Sequence, residues 1–390
     1  MNFSKLVLSF HVLILLLTAS CEAEGRGAVK GPLIWDMSNF EKLKTDTSYS
    51  RLYKSIIKES NNICEMPPVT VMDKVKTFAP DKHYFCSIGT YWWPDPNNPG
   101  QYINKDGKTN PECNLYDRAS LSIMSKRCQN LCVAYYLTKD EKYYDAFIRQ
   151  IKAWFIDEET YMYPNFEYAQ VIPGRNENKG RSTGYIGAYP FNSVLESIRL
   201  TNAIKEIDSQ TLKSLKKWFL KFAEWSDHGV YSTKLHEGLQ NISIAYDVTL
   251  IDMYLFVGKE KRARRIADEF ARKRLEVQIA EDGSQPGELI RTKAFTYSLF
   301  NLSHLLDFCY LVRYFDKDYF ANYGQPVEKA FGYLTKFVGK NDAFPYKQIS
   351  SWEESENDYY RLKRRLYKLK GVKSIDTVRS DRIKLDDIVQ

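Results

Sequence analysis

Residues 278–314 contain the side chains best suited to chemistry. A polar, turn-rich segment leads through Glu288, Arg291 and Lys293 into a helix whose first turn carries Tyr297. Charged side chains at the start of a helix often face a ligand, and the two cations suit an anionic one. Packing of Tyr297 in the core of an amphipathic helix is the structural alternative.

A second chemical feature is the run Tyr91-Trp92-Trp93-Pro94-Asp95-Pro96-Asn97-Asn98-Pro99-Gly100. Its three prolines and its glycine exclude a regular helix and predict a loop that carries three large rings. Such rings can form a wall on which sugars stack, or they can fill the core. The sequence leaves both interpretations open.

The composition is that of an ordinary globular protein of 390 residues, with 44% hydrophobic and 27% charged residues. Aromatic residues are abundant, with 28 Tyr, 21 Phe and 7 Trp. The formal charge is +7, and removal of Lys5 with an N-terminal leader would reduce it by one, to +6. This excess suits a polyanionic partner without separating nucleic acid from acidic polysaccharide, and it does not exclude a neutral ligand.

The N-terminus has the pattern of an export signal, with Lys5, an apolar run over residues 6–17 and then small residues. We assign residues 1–21 to this signal and residues 22–390 to a single domain. Cys21 resembles a lipidation site, although Thr18 stands where leucine is usual, and ordinary cleavage near Ala23 is the alternative. Both routes predict an exported protein that is periplasmic or lipid-anchored to the outer membrane, without a membrane span.

Export would permit disulfides among the six remaining cysteines, but their spacing predicts no pairing. Cys128 and Cys132 are four residues apart on a predicted helix, which favours buried free thiols. The five histidines have no ligand spacing to a cysteine, so no metal site is predicted.

Apolar residues at spacings of three and four predict a chain of helices. The predicted helices cover residues 35–60, 119–135, 144–154, 194–204, 212–225, 244–255, 260–279, 297–314, 327–338 and 352–370. Residues 67–90 and 158–190 are predicted to be irregular, and no stretch alternates as a strand would. We therefore predict an all-α fold of successive hairpins, and the long loops favour a single-domain (α/α) toroid, an incomplete barrel, with a cleft at one rim.

Several ordered motifs in these loops resemble the alginate lyase (α/α)-toroid family of polysaccharide lyases. The motifs are Tyr91-Trp92-Trp93-Pro94-Asp95-Pro96, Tyr102-Ile103 with Asp106-Gly107-Lys108 and Asn110-Pro111-Glu112, Gly180-Arg181-Ser182-Thr183-Gly184, Gln240-Asn241 with Tyr246-Asp247-Val248, and Asp282-Gly283-Ser284-Gln285-Pro286 with Glu288-Leu289, Arg291 and Tyr297. The resemblance implies β-elimination on a uronate polymer such as alginate or glucuronan, without a cofactor.

By this resemblance Tyr297 is the catalytic tyrosine, which protonates the leaving oxygen and can also act as the base. The phenol pKa would then have to fall, and we expect Arg291 to lower it by favouring the phenolate. Asn241 matches the asparagine that neutralises the substrate carboxylate, although an asparagine here could instead cap a helix.

The sequence departs from the family at Ile242, where a histidine commonly follows the asparagine. Either Tyr297 acts alone, which restricts the reaction to syn elimination, or another residue such as His236 replaces the histidine. An inactive homologue that only binds polysaccharide is a third possibility.

The remaining candidates are predicted to bind substrate: Arg181, Lys293 and Gln240 as polar contacts, and Tyr91, Trp92, Trp93 and Tyr246 as stacking surfaces. The carboxylates Asp247, Asp282 and Glu288 leave a glycoside hydrolase as the alternative enzyme class.

Overall fold

The computed structural model describes residues 31–372 and 384–389, and the predicted export signal lies outside these residues. The longer helices are Met37–Thr45, Ser50–Glu65, Asp117–Thr138, Glu141–Phe155, Pro190–Ile204, Ser209–His228, Asn241–Phe256, Glu260–Phe270, Ala294–Val312, Gln325–Thr335 and Trp352–Leu369. The shorter helices are Ser232–His236, Glu276–Gln278, Pro286–Leu289, Tyr319–Tyr323 and Leu385–Val389.

The helices form an inner and an outer layer that alternate along the chain. The inner helices are Asp117–Thr138, Pro190–Ile204, Asn241–Phe256, Ala294–Val312 and Trp352–Leu369, each packed against the next. The outer helices are Ser50–Glu65, Glu141–Phe155, Ser209–His228, Glu260–Phe270 and Gln325–Thr335. Asn241–Phe256 is buried on every side, as expected of a helix that is apolar all round, whereas the outer helices each bury one face. This is the predicted (α/α) toroid.

Contacts between neighbouring inner helices show that these helices run in the same direction. Early residues pair with early residues, as in the Thr296–Ser355 hydroxyl contact of 3.0 Å. Late residues pair with late ones, as in the ion pairs Arg199–Asp252 and Arg365–Asp307, both 2.6 Å. The N-terminal ends of the inner helices therefore lie at one rim, and the irregular segments that precede these helices meet there.

Within the described residues, four short strands contradict the expectation that no strand is present. β1 (Cys86–Ile88) pairs in parallel with β4 (Tyr168–Val171), and β2 (Trp92–Pro94) pairs antiparallel with β3 (Tyr102–Asn104). Strands of three or four residues are too short to show an alternating pattern. The aromatic run is thus a β-hairpin, with Pro94 at the end of its strand, where the ladder needs no further donor.

Two predicted helices are interrupted. Residues 35–60 divide at the 3₁₀ turn Thr47–Tyr49, where the Asp46 side chain accepts from the Ser48 backbone N–H at 2.9 Å. Residues 260–279 contain the π-helical turn Ala271–Leu275, a local widening that sequence periodicity does not reveal.

The six cysteines of the described chain are free, so the thiols of Cys128 and Cys132 are buried and unpaired as predicted. No helix in the described residues is long and apolar enough to cross a membrane.

Candidate active site

Tyr297 lies in the first turn of Ala294–Val312 at the rim where the inner helices begin. Its hydroxyl is 2.5 Å from the hydroxyl of Tyr91, which immediately precedes β2. The aromatic hairpin therefore places a second phenol directly on the predicted catalytic tyrosine. Both side chains are half-buried.

Arg291 packs on the face of the Tyr297 ring, with its guanidinium carbon 4.0 Å from the ring centroid. Its Nη2 donates to Asp106 Oδ1 at 2.7 Å. Thr292 supports the same carboxylate, since its backbone N–H and its hydroxyl each donate to Asp106 Oδ2 at 3.0 Å. The proximity of Arg291 and Tyr297 was expected from the sequence, whereas the role of Asp106 was not.

Asp106 is followed by Gly107, whose φ of +75° favours glycine. A Cβ at this position would lie 2.4 Å from Thr292 Oγ1, so glycine allows the close approach of the two segments. Burial alone would raise the pKa of Asp106, but the hydrogen bonds from Arg291 and Thr292 outweigh burial and lower that pKa to about 2.

The expected fall in the pKa of Tyr297 is not found. Burial, together with the hydrogen bond and charge of Tyr91, raises the pKa of Tyr297 above its usual value. Arg291 opposes this rise, but it lies over the ring and Asp106 offsets its charge. The expectation of a lowered pKa is therefore wrong, and Tyr297 is protonated at neutral pH.

Asn241 is the first residue of its helix, and Gln240 occupies the N-cap position. The Asn241 backbone N–H donates to Glu288 Oε1 at 2.9 Å, and its side-chain amide donates to Glu288 Oε2 at 2.7 Å. Glu288 is only 2% exposed, and burial raises its pKa. Asn241 is thus not the cap itself. Its side chain is only 3% exposed, and its amide is held in one orientation. The Gln240 side chain is exposed at the same rim.

Tyr246 was predicted to be a stacking surface, and this prediction is wrong. The side chain is fully buried, and its hydroxyl donates to the Ser226 carbonyl at 3.1 Å. It lies on Asn241–Phe256, which has no exposed face.

His236, the candidate replacement for the missing histidine, packs against Tyr246. Its Nε2 is 3.2 Å from the Tyr246 hydroxyl and 3.4 Å from Asp227 Oδ1. These contacts describe a structural histidine. Ile242 is half-buried and packs against the core.

None of the three hairpin rings is buried, which excludes the core-filling interpretation. Trp92 is contacted by two guanidinium groups, Arg175 at 4.6 Å and Arg181 at 5.8 Å from the ring centroid. The Arg181 Nη2 also donates to Gln170 Oε1 at 2.8 Å. Arg175 is exposed and was not predicted.

Further cations line the same hairpin. Lys105 lies 5.0 Å from the centroid of Trp93, whose indole N–H donates to the Lys108 carbonyl at 2.9 Å. Lys293 is half-buried beside Gly107, and within residues 31–372 and 384–389 its ammonium forms no ion pair. The rim thus combines aromatic rings with several positive charges.

The carboxylates that suggested a hydrolase all have structural partners. Asp247 is buried in an ion pair with Arg274 at 2.7 Å, and Asp282 accepts from the Ser284 backbone N–H at 2.8 Å. Glu288 is bonded to Asn241. In the described part of the chain, no group of His, Cys, Asp and Glu is arranged to hold a metal ion.

Comparisons with known proteins agree with this architecture. The sequence profile of the alginate lyase family matches residues 69–344. The crystal structure of an alginate lyase from Bacteroides ovatus is 33% identical, with a TM-score of 0.83, over 88% of this chain and 93% of that chain. The chain belongs to the alginate lyase family. It is accordingly a polysaccharide lyase.

A more distant alginate lyase shares the fold of this lyase. It is a histidine-to-alanine variant of alginate lyase A1-III in complex with a tetrasaccharide, 13% identical with a TM-score of 0.53, over 87% of this chain and 89% of that chain. The comparison with curated proteins gave no match.

Proposed function

We propose that this lyase cleaves an acidic uronate polymer, alginate or a related polyuronate such as glucuronan, by β-elimination, with Tyr297 as a proton-transfer group. The observation that carries the proposal is the contact of the Tyr297 hydroxyl with Tyr91, beside Arg291, at a rim rich in cations and aromatic rings.

Elimination breaks the C5–H bond of a uronate and then the bond between C4 and the glycosidic oxygen. The charge that develops on the carboxylate needs donors that are already in position, and the Asn241 amide is held rigidly by Glu288 for such a task. The glycosidic oxygen needs a proton as it leaves. Tyr297 can supply this proton because it is protonated at neutral pH.

Binding of the polymer involves the rest of the rim. Trp92 and Trp93 offer partly exposed rings for sugars, while Arg181, Lys293 and Gln240 offer cations and an amide for carboxylates and hydroxyls. No metal or cofactor enters this mechanism.

An ultraviolet absorbance assay on a panel of polyuronates tests the proposal. Elimination creates a double bond conjugated with the carboxylate, so we expect absorbance to rise together with new reducing ends. Reducing ends without the chromophore would indicate hydrolysis. Binding without either product would indicate an inactive homologue.

We also propose that residues 1–21 direct export and that the mature protein is periplasmic or anchored by a lipid on Cys21. The mass of the mature N-terminal peptide, measured after expression in a Gram-negative host, distinguishes a lipidated Cys21 from cleavage near Ala23. An uncleaved N-terminus would contradict export.

A further inference from the structure

The hydroxyl groups of Tyr91 and Tyr297 are in direct contact at the rim. Their oxygen atoms are 2.5 Å apart, at the short end of the range for hydroxyl contacts and within the range for a hydroxyl bonded to an oxyanion. At this distance a proton can pass directly from one phenol oxygen to the other.

We propose that Tyr91 is the base and Tyr297 the acid of the same turnover, so that the pair replaces the missing histidine. This inference rests on the proposed β-elimination. It gives Tyr91 a chemical role in place of the stacking role predicted from its residue type.

The surroundings divide the two tasks between the tyrosines. Tyr297 is enclosed by Arg291 on its ring face and by Tyr91 at its hydroxyl, and its pKa is raised by burial and by the charge that a Tyr91 phenolate would carry. Tyr297 therefore keeps its proton, as an acid must. The enclosed Tyr297 is thus suited to donate a proton, and Tyr91, whose hydroxyl is 2.5 Å away, is placed to accept one from the substrate.

The separation of the two oxygens also matches the reaction. In the substrate, C5 and the glycosidic oxygen are both bonded to C4, so the hydrogen on C5 and that oxygen are neighbours in any uronate that carries both on one face of the ring. Two phenol oxygens 2.5 Å apart can reach both from one face, which predicts syn elimination. Ile242, at the position of the histidine, cannot transfer a proton.

In the reactive form of the pair, one proton has passed to water and Tyr91 is the phenolate. This phenolate takes the C5 proton, and the C5–H electron pair forms the C4–C5 double bond. The bond from C4 to the glycosidic oxygen breaks, and this oxygen receives the Tyr297 proton. The new Tyr91 hydroxyl then passes its proton across the hydrogen bond to the Tyr297 phenolate, which restores the starting pair.

The test compares Tyr91→Phe, Tyr297→Phe and the control Tyr102→Phe on two substrates. Tyr102 lies on β3 of the same hairpin and has no assigned role. On the polymer, we expect both site variants to lose about 10²-fold or more in kcat with little change in affinity, and the control to match the unmodified protein.

The second substrate is a uronate with nitrophenolate at C4, a leaving group that needs no proton. We expect Tyr297→Phe to regain turnover on it and Tyr91→Phe to remain slow. The assignment would be overturned if both variants regained turnover on this substrate, if neither did, or if only Tyr91→Phe did. It would also be overturned if the kcat of Tyr91→Phe on the polymer stayed within about tenfold of that of the unmodified protein. If the unmodified protein forms no unsaturated product, the proposed function itself is wrong, which is a separate outcome.

Discussion

Glu288 binds Asn241 twice, through the backbone N–H at 2.9 Å and the side-chain amide at 2.7 Å. One buried carboxylate thus satisfies a free donor of the helix start and fixes the orientation of the amide. In the proposed mechanism Asn241 contacts the substrate carboxylate. Glu288 makes no contact with substrate in that mechanism but positions Asn241.

Glu288→Gln should therefore impair both stability and turnover. Glutamine keeps the volume but presents an NH₂ group to one of the Asn241 donors, so we expect about 1–3 kcal/mol lower free energy of unfolding. We also expect kcat/KM to fall about tenfold, since the amide loses its fixed orientation. Urea unfolding and the absorbance assay measure the two effects. Glu281→Gln removes the same charge from an exposed side chain and is the control. Equal losses of stability and kcat/KM in the two variants would contradict the positioning role of Glu288.

Asp106→Asn should lower stability in a pH-dependent way. The pKa of Asp106 is about 2 in the folded protein and near 3.8 when unfolded, so its stabilisation is present above pH 4 and is lost as pH falls towards 2. Because the side chain is partly exposed, we expect a difference of about 1 kcal/mol at pH 6 after solvent screening. Urea unfolding of both proteins from pH 6 downwards should show the difference shrinking, and a constant difference would exclude the ionised carboxylate as its cause.

His304→Leu should stabilise the protein, most of all in mild acid. His304 is fully buried beside Tyr189 and Phe300, and in the described chain neither ring nitrogen has a partner. Burial lowers its pKa from 6.5 to about 3, so only the unfolded chain gains a proton as pH falls from 6.5 to 3. The advantage of the variant should grow by about 2 kcal/mol between pH 7 and pH 5.

The measurement for His304→Leu is the free energy of unfolding at each pH, and His228→Leu, at an exposed histidine, is the control. If the advantage of His304→Leu is independent of pH, the histidine is not held neutral by burial.

Arg181→Ala should weaken polymer binding more at low salt than at high salt. The Arg181 guanidinium lies near Trp92 at the rim and would contact a carboxylate, an interaction that salt screens. Arg264→Ala is a matched control because that guanidinium also lies over a ring, Phe315, but on an outer helix. Binding isotherms at several salt concentrations decide the matter, and a loss that does not vary with salt would argue against a charge contact.

The layered helices could be predicted because apolar spacing reports which face of a helix is buried. The stacking role predicted for Tyr246 was wrong because residue type alone does not show that its helix lacks an exposed face. The Tyr91–Tyr297 contact joins residues 206 positions apart, and Asp106 reaches Arg291 across 185 positions. Such pairings depend on how the hairpin folds over the rim. Short segments without periodic spacing contain no local sequence pattern that predicts this fold.

The common direction of the inner helices also has an electrostatic consequence. Each N-terminus carries about half a positive elementary charge from its aligned peptide groups, and these ends gather at the rim that holds Tyr297 and Asn241. The backbone thus contributes a positive potential there that no side-chain substitution removes. The opposite rim receives the negative ends. The ring of helices is therefore polarised along its axis, with the attractive side for a polyanion where the proposed chemistry occurs.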